Sequence, residues 1–213
     1  MIDYALMNQC LYEGKAKEVE QMTKDALAEG RSVKEVLEEG LIAGMAVVGE
    51  DFKHNILYVP EVLIAARAMK AGMGVLKPLL TAGGASSQTG RLLMGTVRGD
   101  LHDIGKNLVS MMWRGSGFAV VDLGTNVSPE RYLTAAQEHK AQLVGLSALL
   151  TTTMPAMKET VRVLKAAALP NLKIVVGGAP ITQQFADEIG ADGYAADAGT
   201  AVELATRLLE PAA

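Results

Sequence analysis

The segment GDLHDIGKN, residues 99–107, brings a histidine and a carboxylate within two positions of each other. Imidazole is a common metal ligand in proteins, and a ligating histidine usually donates its second ring N–H to a carboxylate or a carbonyl. Asp100 is close enough to His102 in the chain to accept that proton. The residue types allow a metal-ligating histidine with a supporting carboxylate, but on these residues alone a solvated surface pair is the commoner outcome.

Two other kinds of chemistry are disfavoured by the spacing. Five residues separate Gly99 from Gly105, one more than a phosphate-binding P-loop has, and Asn107 stands where that loop needs Ser or Thr for Mg²⁺. Ser147 lacks the glycine two positions later that a nucleophile elbow requires, because Leu149 is there. A nucleotide triphosphatase and a serine hydrolase are therefore poor interpretations.

Hydroxyl groups and glycines follow two later apolar runs. Ser147 and residues 151–153 (TTT) suit hydrogen bonding to a polar ligand, and they equally suit the capping of their own loop. The segment 177–179 (GGA) allows the backbone to approach a ligand closely, or it forms a tight turn. Both alternatives are open on the residues alone.

The elements that must position these residues follow an α/β pattern. Short apolar runs alternate with helical segments and cover residues 91–97, 118–122, 143–147, 173–177 and 193–196. The alternation predicts five parallel strands in a doubly wound, Rossmann-like sheet of flavodoxin-like order. Ligands bind at the carboxyl ends of the strands in such sheets, so we expect the loops described above to lie at one edge of the sheet.

The first part of the chain has a helical period instead. Residues 1–80 predict a bundle of four helices, with Ser32 and Glu35 as a capping box and Pro60 in a first turn. The expected buried face of the first helix consists of Ile2, Leu6 and Cys10. Residues 81–90 are small and polar, which predicts a linker, and residues 91–213 then form the α/β domain.

The composition is globular, with 213 residues of which 49% are hydrophobic and 4% aromatic. The formal net charge of −4 and the scattered Lys and Arg residues argue against a nucleic-acid partner. We expect no membrane span, because charges interrupt every long apolar run. The single cysteine, Cys10, and the lack of a signal-like N-terminal pattern favour a reducing, cytoplasmic location.

The spacing of the three loops resembles the cobalamin-binding signature of methionine synthase and of the corrinoid proteins of methyltransferase systems. Asp100-x-His102-x-x-Gly105 is followed after 41 residues by Ser147-x-Leu149 and after 27 more by Gly177-Gly178. The resemblance covers essentially the whole chain. It implies a four-helix cap followed by a Rossmann-like cobalamin-binding domain.

The resemblance also implies the roles of individual residues. His102 would replace the dimethylbenzimidazole of cobalamin as the lower cobalt ligand, in the base-off/His-on form. Asp100 would accept its proton, and Thr153 stands where methionine synthase completes the relay with a serine. The remaining residues expected to contact the cofactor are Asp103, Ile104 and Gly105 in the first loop, Ser147, Leu149, Thr151, Gly177, Gly178, Ala179 and Ala198 around the nucleotide tail, and Phe52, Val59 and Val62 over the upper corrin face.

A corrinoid carrier is the function that the resemblance implies. Such a protein accepts a methyl group on Co(I) from a substrate-specific methyltransferase, and it passes the group from methyl-Co(III) to a second methyltransferase with a tetrahydrofolate or thiol acceptor. Both enzymes, and a reductive activase, are the expected partners of this non-autonomous subunit. The methyl donor stays open among methanol, methylamines, betaines and methoxylated aromatics. The alternative is a cobalamin-dependent sensor or transcriptional regulator that lacks its own DNA-binding domain.

Overall fold

The computed structural model describes residues 2–82 and 90–210. The chain divides into two compact units, a helical unit of residues 1–88 with 115–117 and a sheet unit of residues 89–114 with 118–213. Most of the predicted linker at 81–90 lies outside the described residues, so the domain limits stay a prediction.

Helices make up the described part of the first unit. Their bounds are α1 Tyr4–Tyr12, α2 Ala16–Ala28, α3 Val33–Glu35, α4 Ala43–Lys53 and α5 Val59–Ala82. A π-helical segment, Val36–Ile42, joins α3 to α4 without a break, so residues 2–82 contain four continuous helical stretches, as expected. Ser32 caps the third stretch, because its side chain accepts a hydrogen bond from the backbone N–H of Glu35 at 3.1 Å.

The predicted buried face of the first helix was right for Cys10 and wrong for Ile2 and Leu6. Leu6 is 49% exposed, whereas Met7, Cys10 and Leu11 are buried. The helix begins only after Asp3, whose side chain accepts from the Leu6 backbone N–H, so Ile2 precedes the helix. The buried face of the helix consists of Met7 and the residues three and four positions after it, Cys10 and Leu11.

The sheet unit alternates strands and helices throughout. The strands are β1 Arg91–Thr96, β2 Ala119–Asp122, β3 Leu143–Ser147, β4 Lys173–Gly177 and β5 Gly193–Ala195. The helices are α6 Ile104–Gly115, α7 Pro129–Glu138, α8 Met154–Ala166, α9 Gln183–Ile189 and α10 Ala198–Leu209. Strands β3 and β4 have the predicted bounds, while β1, β2 and β5 are each one residue shorter.

The strand order is β2-β1-β3-β4-β5 with every pair parallel, which confirms the doubly wound prediction. The register sets Thr96 beside Ser147 and Ser147 beside Gly177. Val97 extends β1 by one parallel bridge to Val127. The carboxyl ends of β1, β3 and β4 therefore meet in one row, from which three loops emerge.

Each face of the sheet has its own apolar core. One cluster includes Tyr132 of α7 and side chains of α8 and α9, and the other includes Trp113 of α6 and side chains of α10. Trp113 is buried against the sheet, and its Nε1–H donates to the carbonyl of Ala201 at 2.9 Å. None of the helices that the structure describes is both long enough and apolar enough to cross a membrane.

Candidate functional site

The loop between β1 and α6 holds His102 against Asp100. His102 Nδ1 lies 2.7 Å from Asp100 Oδ1, and the His102 backbone N–H donates to the same oxygen at 3.0 Å. An ionised carboxylate can only accept, so Nδ1 carries the ring proton in this pair. The His102 side chain is 51% exposed. The lone pair of Nε2 is therefore available to a ligand outside the loop.

Asp100 is completely buried and its carboxylate receives donors on both oxygens. Oδ2 accepts from the backbone N–H of Leu149 at 2.7 Å and from the hydroxyl of Thr153 at 2.8 Å. Burial raises the pKa of Asp100, but the hydrogen bonds from Leu149, His102 and Thr153 lower it more, and the net pKa lies well below the ordinary range. Asp100 is therefore ionised at neutral pH.

The backbone of the same loop is held by groups that the sequence analysis missed. Thr96 Oγ1 donates to the carbonyl of His102 at 2.8 Å. Asn126, in the loop between β2 and α7, donates its backbone N–H to the carbonyl of Asp100 at 2.9 Å. Its side-chain Oδ1 accepts from the backbone N–H of Gly99 at 2.8 Å. The only sequence signal for Asn126 was its place in a turn-forming stretch after the second apolar run.

The predicted glycines serve different purposes. Gly178 has a φ of +131°, and a Cβ there would collide with the carbonyl oxygen of Ala148. A Cβ on Gly177 would lie 2.8 Å from the carbonyl oxygen of Ala195. The chain therefore needs both glycines for its own packing. A Cβ on Gly105, by contrast, would meet nothing within 4 Å, so the fold itself does not require that glycine.

Apolar side chains are exposed in the two loops around His102. Leu101 is 73% and Ile104 is 76% exposed in the first loop, and Leu149 and Leu150 are each 42% exposed after β3. Exposed apolar surface of this kind is typical of a binding site. A free imidazole nitrogen with exposed apolar side chains in the same two loops fits a large metal-carrying ligand that has apolar faces as well as polar groups, as cobalamin does.

The other residues predicted in the sheet unit have more varied surroundings. Ser147 is half-buried at the end of β3, and Thr151 is exposed in a single 3₁₀ turn, Thr151–Thr153. Asp103 is exposed, and its side chain accepts from Asn107 Nδ2 at 3.0 Å. Ala179 is exposed, whereas Ala198 is buried at the start of α10. These residues share one end of the sheet with His102.

The predicted shielding residues belong to the helical unit. Phe52 and Val59 are half-buried, whereas Val62 is completely buried. His54 is exposed at the end of α4, and its Nε2 lies 2.8 Å from Glu50 Oε1. The shielding role of these residues stays a prediction.

Comparisons with known proteins bear on both units. A family model described as a B12 binding domain matches residues 90–203, and a second B12 binding domain model matches residues 5–77. A corrinoid protein of Desulfitobacterium hafniense (strain Y51) is 40% identical over 206 residues, which are 95% of either chain. Dimethylamine corrinoid protein 1 of Methanosarcina acetivorans is 47% identical over 82% of this chain and 83% of its own. The structure of the methanol:cobalamin methyltransferase complex of Methanosarcina barkeri superposes with a TM-score of 0.83 at 29% identity, over 95% of this chain and 78% of that one.

Proposed function

The chain belongs to the family of B12-binding corrinoid proteins, and on this premise we propose that it is the corrinoid carrier of a methyltransferase system. The observation that carries the proposal is the half-exposed His102, whose Nδ1 is bound by the buried Asp100 and whose Nε2 is open to a ligand. The reported relatives offer no support for a sensor or regulator.

We propose that His102 Nε2 ligates the cobalt in place of the cofactor's own benzimidazole. Cobalamin, when bound, supplies a cobalt ion that accepts a methyl group and gives it up again. Asp100 holds the His102 ring in the ligating tautomer and increases its basicity through the hydrogen bond to Nδ1. Thr153 and the Leu149 backbone keep Asp100 ionised and oriented.

Further residues are proposed to line the cofactor-binding site. Gly105 leaves open space beside His102, and Ile104 and Leu149 offer apolar contact. The nucleotide tail is proposed to pass the carboxyl ends of β3 and β4, lined by Ser147, Leu149, Thr151, Gly177, Gly178, Ala179 and Ala198. In the helical unit, Phe52, Val59 and Val62 are proposed to shield the methyl-bearing face.

The partners are proposed to be two methyltransferases and a reductive activase. One enzyme would load the carrier from a small methylated compound, and the other would unload it to a folate or thiol acceptor. The identity with a dimethylamine corrinoid protein favours a methylated amine as the donor. The likeness to a methanol methyltransferase complex makes methanol the second candidate.

The axial ligand can be tested by electron paramagnetic resonance of the full chain loaded with cobalamin in its Co(II) form. We expect nitrogen splitting that changes from a triplet to a doublet when histidine is labelled with ¹⁵N. His102→Ala should abolish the labelled signal, whereas His139→Ala, which changes the C-cap residue of α7, should not. Splitting that responds only to ¹⁵N in the benzimidazole would refute histidine ligation.

The carrier role requires a second assay. Reconstituted protein that a chemical reductant has brought to the Co(I) form should gain the absorbance of methylcobalamin when it is incubated with a methylamine:corrinoid methyltransferase and its substrate, and His102→Ala should not. Methylation only by a methanol-specific enzyme would favour the second donor. Failure with both enzymes would count against either donor class.

A further inference from the structure

Asn126 clamps the backbone of the loop that carries Asp100 and His102. Its backbone N–H donates to the carbonyl of Asp100 at 2.9 Å, and its side-chain Oδ1 accepts from the backbone N–H of Gly99 at 2.8 Å. One residue thus satisfies a donor and an acceptor on two consecutive residues of the opposing loop. None of the three motif segments contains Asn126.

The backbone conformation of Asn126 makes this double contact possible. Its φ is +54°, in the left-handed region that asparagine enters more readily than most residues. Gly99, on the other side of the contact, also has a positive φ, of +84°. Two left-handed residues therefore face each other across the pair of hydrogen bonds.

The loop that holds Asn126 is itself anchored to β1. Leu123 N–H donates to the carbonyl of Met94 at 2.8 Å, and Gly124 accepts from Thr96 N–H at 2.9 Å. Val127 N–H then donates to the carbonyl of Thr96 at 2.9 Å. Asn126 is thus presented by backbone that continues the β1–β2 pairing beyond the end of β2.

We propose that Asn126 is a positioning residue for the His102 ligand. The Asp100 carboxylate meets four donors that come from His102, Leu149 and Thr153, and this geometry requires one placement of the Asp100 backbone. Asn126 fixes that placement through its hydrogen bonds to the backbone of Gly99 and Asp100. It therefore sets the direction of His102 Nε2 through Asp100, without contacting the cofactor. The expected effect on cobalamin binding rests on the proposed function. The effect on the geometry of the loop can be tested separately, in the apo protein.

Two substitutions separate the parts of the contact. Asn126→Gly keeps the left-handed backbone and its N–H, and it removes only the oxygen that accepts from Gly99. Asn126→Asp keeps an acceptor oxygen and should restore the contact. Asn171→Gly is the matched control, because Asn171 is another left-handed asparagine, with a φ of +58°. It precedes β4, at the end of the sheet where the strands begin, away from the His102 loop.

The apo protein gives the first measurement. The His102 Nδ1–H proton, hydrogen-bonded to Asp100, should appear as a downfield resonance in the NMR spectrum of the full chain and disappear in His102→Ala. We expect Asn126→Gly to shift or broaden this resonance. Asn126→Asp and Asn171→Gly should leave it near the wild-type position.

The loaded protein gives the second measurement. We expect cobalamin to bind Asn126→Gly about tenfold more weakly, because loss of groups that orient a metal ligand typically costs 10–100-fold. The histidine-derived nitrogen splitting of the Co(II) form should weaken in parallel. Asn126→Asp should recover most of the affinity, and Asn171→Gly should bind as the wild type does.

Each outcome decides between the two proposals. An unchanged Nδ1–H resonance in Asn126→Gly, or equal loss of affinity in the Gly and Asp variants, would overturn the positioning role. If the resonance moves as expected but the wild-type Co(II) form shows no histidine nitrogen, the positioning role stands and histidine ligation fails.

Discussion

Substituting Thr153 by Val tests whether its hydroxyl stabilises the ionised Asp100. Thr153 Oγ1 lies 2.8 Å from Asp100 Oδ2 and 2.9 Å from the carbonyl oxygen of Leu150. A hydroxyl has one proton, and the charged carboxylate is the stronger acceptor. Valine keeps the branched shape, but it replaces that donor by a methyl group. Asp100 Oδ2 would then retain only the backbone N–H of Leu149.

The size of the effect follows from burial and charge. A hydrogen bond to a charged group contributes about 1.5–3 kcal/mol, and Asp100 is completely buried. We expect Thr153→Val to lower the free energy of unfolding by that amount. Thr153→Ser keeps the hydroxyl and should cost only about 0.8 kcal/mol for the lost methyl group. Thr160→Val is the matched control, since the buried Thr160 donates at 2.8 Å only to the uncharged carbonyl of Ala156 and should cost less than about 1 kcal/mol.

Urea unfolding of the apo chain, followed by tryptophan fluorescence, measures these differences. Trp113 is the single tryptophan of the chain and is buried in the sheet unit, so it reports on the unit that contains Thr153. If Thr153→Val costs no more than Thr160→Val, the hydroxyl does not stabilise the carboxylate. Equal destabilisation by Val and Ser at position 153 would lead to the same conclusion.

Three further predictions concern the start of α6 and the end of β2. Gly105→Ala should leave the unfolding free energy of the apo protein unchanged or raise it by about 0.5–1 kcal/mol. The same substitution should weaken cobalamin binding, measured by absorbance titration. Gly74→Ala is the control, because a Cβ there also meets nothing within 4 Å, and it should not affect binding. Lys106 is buried, and its Nζ lies 2.6 Å from Asp122 Oδ2. Lys106→Met should therefore lower the free energy of unfolding in urea by about 3 kcal/mol, and Lys106→Met/Asp122→Leu should lower it markedly less. Equal losses in the two variants would refute the pairing. Burial raises the pKa of Asp122, but the hydrogen bonds from Lys106 and the Gly124 backbone N–H, together with the charges of Lys106 and Arg114, lower it more, so the net pKa is below its usual value. Wild-type stability should therefore fall more steeply than that of the double variant as the pH drops below about 5, and parallel profiles would contradict this assignment.

The fold was largely predictable from local patterns. The runs at 143–147 and 173–177 became β3 and β4 without change, because strands covered on both faces are continuously apolar. Ser32 and Pro60 marked helix starts through capping and backbone restriction, which are local effects. The buried face of α1 was mispredicted at Ile2 and Leu6, because the start of that helix depends on Asp3 as its cap and not on the apolar spacing that includes Ile2.

The site was predictable only in part. Asp100, His102 and Thr153 were named from the sequence, and the structure places them in one hydrogen-bonded chain. Asn126 was missed, because its two bonds to the His102 loop join segments that lie 26 and 27 residues apart. The π-helical segment Val36–Ile42 was also missed, since no local preference distinguishes it from an α-helix with the same apolar spacing.

The sequence by itself determined the alternation of strands and helices and the motif that resembles corrinoid proteins, because both depend on neighbouring residue types. Only the tertiary structure decided what each motif residue does. It surrounds the buried Asp100 with hydrogen-bond donors from two loops, and these hydrogen bonds keep the carboxylate charged. It also shows that the chain needs Gly178 for its own backbone packing and does not need Gly105 for this purpose. Both distinctions depend on atoms brought together across the sheet, whose distances no local pattern encodes.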